Sequence, residues 1–413
     1  MSDTIAGELK IAGEMNAYQR KWLANVRERV GNGEPFAICN GDEFEEIFNA
    51  MDIPVMVLNY WSKIIATEAK ASYYKKVLKE RGYDPLHLFF SLGLACAMDN
   101  NPETAPWGGL PKPSVIVGGS KHDREMKVLE LWARECGCPF IPMEFGLNTT
   151  PEQPPLPPRW WERMRDHWDE LIDPDRLNVR VEEEKSLIRF LEITTGKHFS
   201  PAKLDRVAEL INEQMDYWGK VRDLIAATIP CPVSLPDQIA MYQAMWHRGT
   251  EMGCNFIKAY YEEIKERVEK GIFANPNEKL RLMYIPATTP AYAGFLEETY
   301  HASLVCFGYS SIPIDCYART VHNNDALRTL ASRHMVLFSE TPDWRLKDAQ
   351  LHQCDGVIEV IDPAMPSLNK PLFDASGMPL LSLYTDKDTR DIKSRLSRWI
   401  ETTVLPNHKG VTL

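Results

Sequence analysis

The stretch Gly118-Gly119-Ser120 offers backbone N–H groups that can bind an anion. It follows an apolar run from Ser114 to Val117, which predicts a strand, and it precedes a predicted helix that begins near Lys121. Because N–H groups at the start of a helix favour negative charge, the stretch can bind a phosphate or a carboxylate. The alternative is a tight turn in which Ser120 caps the helix, since the full dinucleotide-binding fingerprint is absent.

Three further residues have side chains suited to proton transfer. His122 stands in the first turn of that predicted helix, and a histidine titrates near neutral pH. Glu359 and Asp362 lie in and just after a second apolar strand, and paired carboxylates exchange protons when they are desolvated. The alternatives are a surface histidine and an aspartate that forms a turn before Pro363.

The cysteines are nine in number and widely scattered. They stand at positions 39, 96, 136, 138, 231, 254, 306, 316 and 354. An odd, scattered set in a long chain indicates reduced thiols rather than a disulfide framework. Cys136-Gly137-Cys138 follows a predicted helix, where the helix dipole disfavours a thiolate, so we expect a structural role for this pair.

Charge and hydropathy exclude several classes of partner. The net charge of −11 argues against nucleic acid or an anionic membrane surface as the main partner. No apolar run approaches the ~20 residues that a membrane helix needs. The first residues lack the basic and apolar regions of a signal peptide, so we expect a cytoplasmic protein.

The elements that must position these residues alternate between strand and helix in two parts of the chain. This alternation predicts an α/β fold with two doubly wound parallel-sheet lobes. A mostly helical region separates them, after a proline-rich connection at Pro151 to Pro158. The predicted domains are an N-terminal lobe at 1–150, a helical connecting region at 151–272 and a C-terminal lobe at 273–413.

Several segments together resemble one family. They are the Leu92 to Ala97 segment with Cys96, the run Val115 to Trp132, His247-Arg248-Gly249-Thr250, Ala326 to Ala331, Cys354 to Ile358, Gly377 to Leu381 and Asp386 to Glu401. In order and spacing they resemble the subunits of 2-hydroxyacyl-CoA dehydratases and benzoyl-CoA reductases. The resemblance extends from about Phe36 to Glu401.

The resemblance implies a heteromeric enzyme that acts on an acyl-CoA thioester. Members of this family pair two similar subunits, and each subunit typically holds a [4Fe–4S] cluster through three cysteines. A separate activator protein hydrolyses ATP and delivers one electron, and the thioester carbonyl accepts it to form a ketyl radical. Dehydratases then lose the hydroxyl group, whereas the reductases reduce an aromatic ring.

Carried over residue by residue, the family pattern provides one of its three cluster cysteines here. Cys96 matches the first ligand, His122 stands at the second, and Met365 or Ala364 stands at the third. A neutral thioether or a methyl group does not replace a thiolate. The pattern therefore predicts that a partner subunit holds the cluster, and that Cys96 is the one ligand retained in this chain.

The same resemblance suggests residues for the substrate. Arg248 and Thr250 are expected to face the thioester or CoA, with a surface turn at the start of a helix as the alternative. Gly118, Gly119 and Ser120 are the candidates for a CoA phosphate, and His122 and Glu359 for catalysis. Two functional alternatives stay open: redox-neutral acyl-CoA chemistry, such as a hydratase or lyase, and a non-catalytic scaffold subunit without a cluster.

Overall fold

A computed structural model describes residues 4–5, 7–41, 44–83, 88–119, 123–143, 156–286, 288–336, 341–361, 366–384 and 389–408. The strands in these ranges are β1 Thr4–Ile5, β2 Ala37–Cys39, β3 Val55–Val57, β4 Val115–Gly119, β5 Phe140–Met143, β6 Ile272–Phe273, β7 Leu280–Tyr284, β8 Ala302–Phe307, β9 Gly356–Ile361 and β10 Leu380–Tyr384.

Helices surround these strands and form the middle of the chain. The α-helices are α1 Lys10–Gly31, α2 Glu45–Ala50, α3 Leu58–Thr67, α4 Ala71–Glu80, α5 Leu88–Asp99, α6 Asp123–Cys136, α7 Trp168–Leu171, α8 Pro174–Thr195, α9 Pro201–Ala227, α10 Leu235–Tyr242, α11 Glu251–Lys270, α12 Ala293–Tyr300, α13 Ala326–Val336, α14 Pro342–Leu351, α15 Lys370–Ser376, α16 Thr389–Trp399 and α17 Leu405–Asn407. None of these described helices is long and apolar enough to cross a membrane.

The N-terminal lobe contains a four-stranded parallel sheet in the order β3-β2-β4-β5. Its central strands β2 and β4 are buried along their whole length. Strands covered on both faces read as continuous apolar runs, which is why the sequence identifies them. The expected strands and helices of this lobe are confirmed.

The C-terminal lobe repeats the arrangement with the order β8-β7-β9-β10, again all parallel. In both sheets the first strand in the chain lies between the second and the third. The predicted fold class, two parallel-sheet lobes with a helical region between them in the chain, is confirmed. In such sheets a crevice opens beyond the carboxyl ends of the strands. It lies between the first and third strands, because the connections that follow these two strands lead in opposite directions along the sheet.

The helical middle consists mainly of α8, α9, α10 and α11. Helices α9 and α11 pack against each other, and α13 of the C-terminal part packs on both α8 and α9. Helix α1 also packs on α10 and α11, although it precedes the N-terminal sheet. The domain boundaries near residues 150 and 272 stay a prediction, because the packing of α1 crosses them.

Candidate functional site at the carboxyl edge of the N-terminal sheet

At the crevice of the N-terminal lobe, the side chain of Asn40 lies immediately after β2 and bridges described residues of the neighbouring strand and helix. The backbone N–H of Gly119, the last residue of β4, donates to Asn40 Oδ1 at 2.8 Å. The Asn40 amide donates to the carbonyl of Gly119 at 3.4 Å and to Glu125 Oε2 at 3.3 Å. All three residues are buried, so the amide connects the two central strands at the point where a ligand would enter.

Of the two glycines predicted to bind an anion, Gly118 has a steric reason to be glycine. A Cβ atom there would lie 2.9 Å from Met126 Sδ and 3.0 Å from Phe140 Cε2. The N–H of Gly119 already donates to Asn40, so it is not available to a phosphate in this conformation. Ser120 lies outside the described residues.

Helix α2 begins beyond the same edge with two adjacent glutamates. Glu45 and Glu46 occupy its first turn, where the helix dipole favours carboxylates, and both side chains are buried. Arg248 binds both of them: its Nε lies 2.7 Å from Glu46 Oε1, and its Nη2 lies 2.7 Å from Glu45 Oε2. Two further hydrogen bonds, of 2.9 Å to Glu45 and 3.2 Å to Glu46, make the guanidinium bidentate to both carboxylates.

More charged side chains extend this buried group toward the helical middle and α13. Arg333 Nη1 lies 3.8 Å from Glu46 Oε1. On the other side, Arg180 Nε lies 3.4 Å from Glu184 Oε1, and Glu184 bonds to His334 Nδ1 at 2.6 Å. We call Glu45, Glu46, Arg180, Glu184, Arg248, Arg333 and His334 the interlobe cluster. Every one of these side chains is at most 2% exposed.

Burial controls the protonation of the cluster. It raises the pKa of Glu184 to about 8, against the opposing effect of Arg180. It lowers the pKa of His334 well below its ordinary value, and nearby arginines add to that shift. Burial also lowers the pKa of Arg333 to about 10. Both shifts favour the uncharged forms of Glu184 and His334, which are joined by a hydrogen bond of 2.6 Å.

Arg248 was expected to face the substrate; in the structure its side chain lies buried among protein groups, and its substrate role stays a prediction. Its side chain is 0% exposed, with its guanidinium bonded to Glu45 and Glu46 and stacked 4.7 Å from the ring of Tyr317. A side chain with these partners cannot also touch CoA in this conformation. Thr250 caps α11, because its hydroxyl accepts from the N–H of Gly253 at 3.0 Å.

Glu359, a predicted catalytic residue, is fully engaged within the C-terminal sheet. Its two carboxylate oxygens accept from Ser382 Oγ at 2.5 Å and from Asn369 Nδ2 at 2.9 Å. The side chain is buried in β9, beside β10. These contacts describe a residue that joins two strands, and its catalytic role stays a prediction. Asp362 lies outside the described residues.

Cys96 lies at the amino edge of the N-terminal sheet. Gly93 of α5 packs against Trp132 of α6, and one turn later Cys96 and Cys136 line the same cavity of about 320 Å³, so the two helices run in the same direction. Because α6 follows β4 in the chain, both helices run from the carboxyl edge of the sheet, where β4 ends, to its amino edge. Cys96 is therefore about 12 Å along α5 from the start of the helix.

In the chain alone, burial raises the pKa of the Cys96 thiol to about 11, although hydrogen bonds with Tyr74 and Trp61 oppose that shift. A bound metal ion would itself lower this pKa. His122, Met365 and Ala364 lie outside the described residues, so the ligand role of Cys96 stays a prediction.

The described residues include every cysteine of the chain, and none of the nine forms a disulfide. Within these residues, no three His, Cys, Asp or Glu side chains form a group that could hold a metal ion. A [4Fe–4S] cluster needs thiolate ligands. The thiols of this chain therefore do not fit a three-cysteine cluster site.

Sequence reasoning missed the residues that build this site. Asn40, Glu45, Glu46, Glu184 and His334 were not identified, because their partners are distant in the chain: Arg248 is 202 residues from Glu46. One local signal was available. Glu45 and Glu46 lie between the apolar residues Phe44 and Ile47, a position that buries both carboxylates and demands a cationic partner.

Comparison with known proteins gives one match. The family model described as 2-hydroxyglutaryl-CoA dehydratase, D-component, matches residues 45–402 of the chain. A search of curated proteins finds no match. The matched region begins at Glu45, the first residue of α2, and includes all members of the interlobe cluster.

Proposed function

The chain belongs to the family of the 2-hydroxyglutaryl-CoA dehydratase D-component, and from that premise we propose that it is one subunit of an enzyme that dehydrates a 2-hydroxyacyl-CoA thioester. In this reaction the bonds C2–O and C3–H break, a C2–C3 double bond forms, and water leaves. The family match over residues 45–402 is the observation that carries the proposal.

The proposed enzyme contains a second, similar subunit that holds the [4Fe–4S] cluster, and an ATP-dependent activator supplies its electron. The reduced and mostly buried thiols of this chain support that division of labour, because within the described residues they offer no three-thiolate site.

The role of this subunit is to shape the substrate pocket. The interlobe cluster fixes α2 beyond the carboxyl edge of the N-terminal sheet, and it joins α2 to Arg248 in the middle and to α13. Since its side chains are buried, they act by position rather than by contact with substrate. Breaking a buried pair leaves an uncompensated charge, so the cluster resists relative movement of these elements.

The missing three-thiol site also favours one alternative, a scaffold subunit that has no part in electron transfer. The experiment is anaerobic co-expression of the chain with the similar subunit, followed by iron analysis of each chain and of the complex. The complex, given activator, ATP, reductant and a panel of 2-hydroxyacyl-CoA thioesters, is then assayed for enoyl-CoA by mass spectrometry.

We expect iron in the complex, little in the isolated chain, and enoyl-CoA only when both subunits are present. Three or four irons per isolated chain would contradict the division of labour. An active partner that needs no help from this chain would support the scaffold, and reduction of an aromatic acyl-CoA without dehydration would move the chain to the reductase branch.

A substitution at Glu359 tests the predicted catalytic role of this residue. Glu359→Gln keeps a side chain that can bond to Ser382 and Asn369, so we expect turnover within about twofold of the native complex. Loss of a general acid or base typically lowers the rate by about 10²–10⁴-fold, and a loss of that size in a stable variant would make Glu359 catalytic.

A further inference from the structure

A second cavity lies away from the interlobe cluster, at the other end of α2. It has a volume of about 440 Å³, and its walls include Tyr18, Trp22, Asn49, Trp246, His247 and Thr250. We call it the aromatic groove. The three large aromatic side chains are only half-buried, so part of their ring surface stays open to solvent. The size is within the range of small-molecule sites.

The floor of the aromatic groove is held rigidly. The ring of His247 meets Tyr18 and Trp22 edge-on, with ring centroids 5.3 and 5.4 Å away and interplanar angles of 75°. Trp246 stacks on Tyr60 with centroids 5.3 Å apart. The Thr250 hydroxyl donates to the His247 carbonyl at 2.6 Å, which fixes the turn that carries these rings.

Close packing of the same turn explains its glycine. Gly249 has φ +72°, and a Cβ atom there would lie 2.5 Å from Val207 Cγ1. His247 itself is 6% exposed, and its Nε2 has no hydrogen-bond partner within the described residues. Burial lowers its pKa to about 4, so the imidazole is neutral at physiological pH. A neutral ring that is fixed in this way can form part of a surface against which a flat ligand packs.

Polar groups at the groove indicate a ligand that has both a hydrogen-bond donor and a negatively charged group. Asn49 donates its amide to the Arg248 carbonyl at 3.0 Å, and its Oδ1 accepts no bond from any described residue, so it can accept from a ligand amine. Arg29 and Asp52 also line the cavity, Arg29 being paired with Glu34. Lys203, bonded to Asp52, and Lys197, 3.8 Å from Glu34, lie beyond the cavity wall, and these three cations and two carboxylates together leave one net positive charge beside the groove.

From these features we infer that the aromatic groove binds an adenine ring, with the attached phosphate directed to Arg29, Lys197 and Lys203. Indole and phenol rings stack on purines, Asn49 Oδ1 accepts from the exocyclic amine, and the cations at the rim attract phosphate. Two sources share this chemistry, CoA and a free adenine nucleotide. The inference depends on the proposed function only for the CoA source.

The experiment uses saturation-transfer NMR on the full chain with adenosine, AMP, ATP, CoA and dephospho-CoA, and with pantetheine as the ligand that lacks adenine. We expect transfer to the adenine H2 and H8 protons and none to pantetheine. Tighter binding of CoA than of AMP or ATP identifies CoA as the source, and the reverse order identifies a free nucleotide.

Two variants link the signal to the groove. Trp22→Ala removes one stacking surface and is expected to weaken adenosine binding at least about fivefold. Trp161→Ala removes a half-buried indole elsewhere in the molecule and is expected to leave binding unchanged. Circular dichroism verifies that both variants fold, and Asn49→Ala replaces Trp22→Ala if the latter unfolds.

Absence of transfer to adenine protons, or equal binding by Trp22→Ala and the native chain, would overturn the inference. Neither result depends on turnover. An active complex whose subunit binds no adenine at this groove would therefore refute the inference and leave the proposed function intact.

Discussion

The two lobes share one strand order, yet the described contacts at their carboxyl edges differ. In the N-terminal lobe a side chain, Asn40, bridges β2 and β4, and ion pairs hold α2 beyond them. In the C-terminal lobe backbone joins the corresponding strands: the N–H of Ile285 donates to the Ile358 carbonyl at 3.0 Å. Gly308 packs so closely that a Cβ atom there would lie 1.9 Å from the Ile285 carbonyl oxygen.

This difference separates an edge joined by side chains from one joined by backbone. Removing one partner of a buried ion pair leaves the other charge uncompensated, whereas close-packed backbone is sensitive to added volume. The carboxyl edge of the N-terminal lobe therefore depends on charge and hydrogen bonding, and that of the C-terminal lobe depends on steric fit.

The largest effect is expected when the ion pairs of the N-terminal edge are broken. Arg248→Met leaves Glu45 and Glu46 buried without their main cationic partner, which should cost about 3–5 kcal/mol of unfolding free energy. Chemical denaturation measures the change. The control is Arg206→Met, whose side chain is about half exposed and bonds Glu251 at the surface, and which should cost no more than about 1 kcal/mol. Equal costs would show that the buried pairs do not stabilise this edge.

A pH dependence specific to the interlobe cluster follows from Glu184. Its pKa is raised from 4.5 to about 8, so the folded chain keeps a proton that the unfolded chain releases above about pH 4.5. This penalty on folding is absent at low pH and grows up to about pH 8. Glu184→Gln, which stays neutral, should therefore gain stability over the native chain by about 2–4 kcal/mol as pH rises from 5 to 8.

Thermal and denaturant unfolding across this pH range checks the expectation. Glu209→Gln provides the control, because its carboxylate lies exposed on α9, 67% accessible to solvent. A constant difference between Glu184→Gln and the native chain at every pH would mean that Glu184 is ionised within the folded protein, and that the cluster carries a different charge.

The close packing of backbone in the C-terminal lobe is tested at Gly308. Gly308→Ala forces a methyl group against the Ile285 carbonyl, so we expect a loss of about 2–3 kcal/mol. Gly294→Ala, in α12 with no atom within 4 Å of the added methyl, is the matched control and should be neutral or slightly stabilising. A tolerated Gly308→Ala would remove the contrast between the lobes.

A smaller effect is expected at Asn40. Asn40→Ala leaves the buried N–H of Gly119 without its acceptor, at a cost of about 1–2 kcal/mol. Hydrogen exchange of the Gly119 amide reports the change locally, and it should accelerate in the variant. Unchanged protection of that amide would mean that another group, or water, takes the place of Asn40.

The strands were predictable because their buried residues are consecutive and apolar, as in Val115 to Val117 and Val357 to Ile361. The alternation of these runs with helices then fixes a parallel arrangement. The site was not predictable in the same way, since an ion pair such as Arg248 with Glu45 depends on two segments that only the folded chain brings together.

The position of Cys96 shows a limit of sequence reasoning. The family resemblance makes Cys96 a predicted ligand, but no local pattern reports the direction in which α5 crosses the sheet, which places Cys96 near the amino edge. Gly118 illustrates the same point: a glycine required by Met126 and Phe140 looks identical in sequence to one required by a phosphate.

The thiols of the chain have a practical consequence for handling the protein. Burial raises the pKa of six of them, at positions 96, 136, 138, 231, 254 and 306. At neutral pH these sulfurs stay protonated, and protonated thiols react slowly with alkylating agents and with peroxide. In the folded chain these six thiols should therefore react slowly with such agents, and unfolding should increase their reactivity.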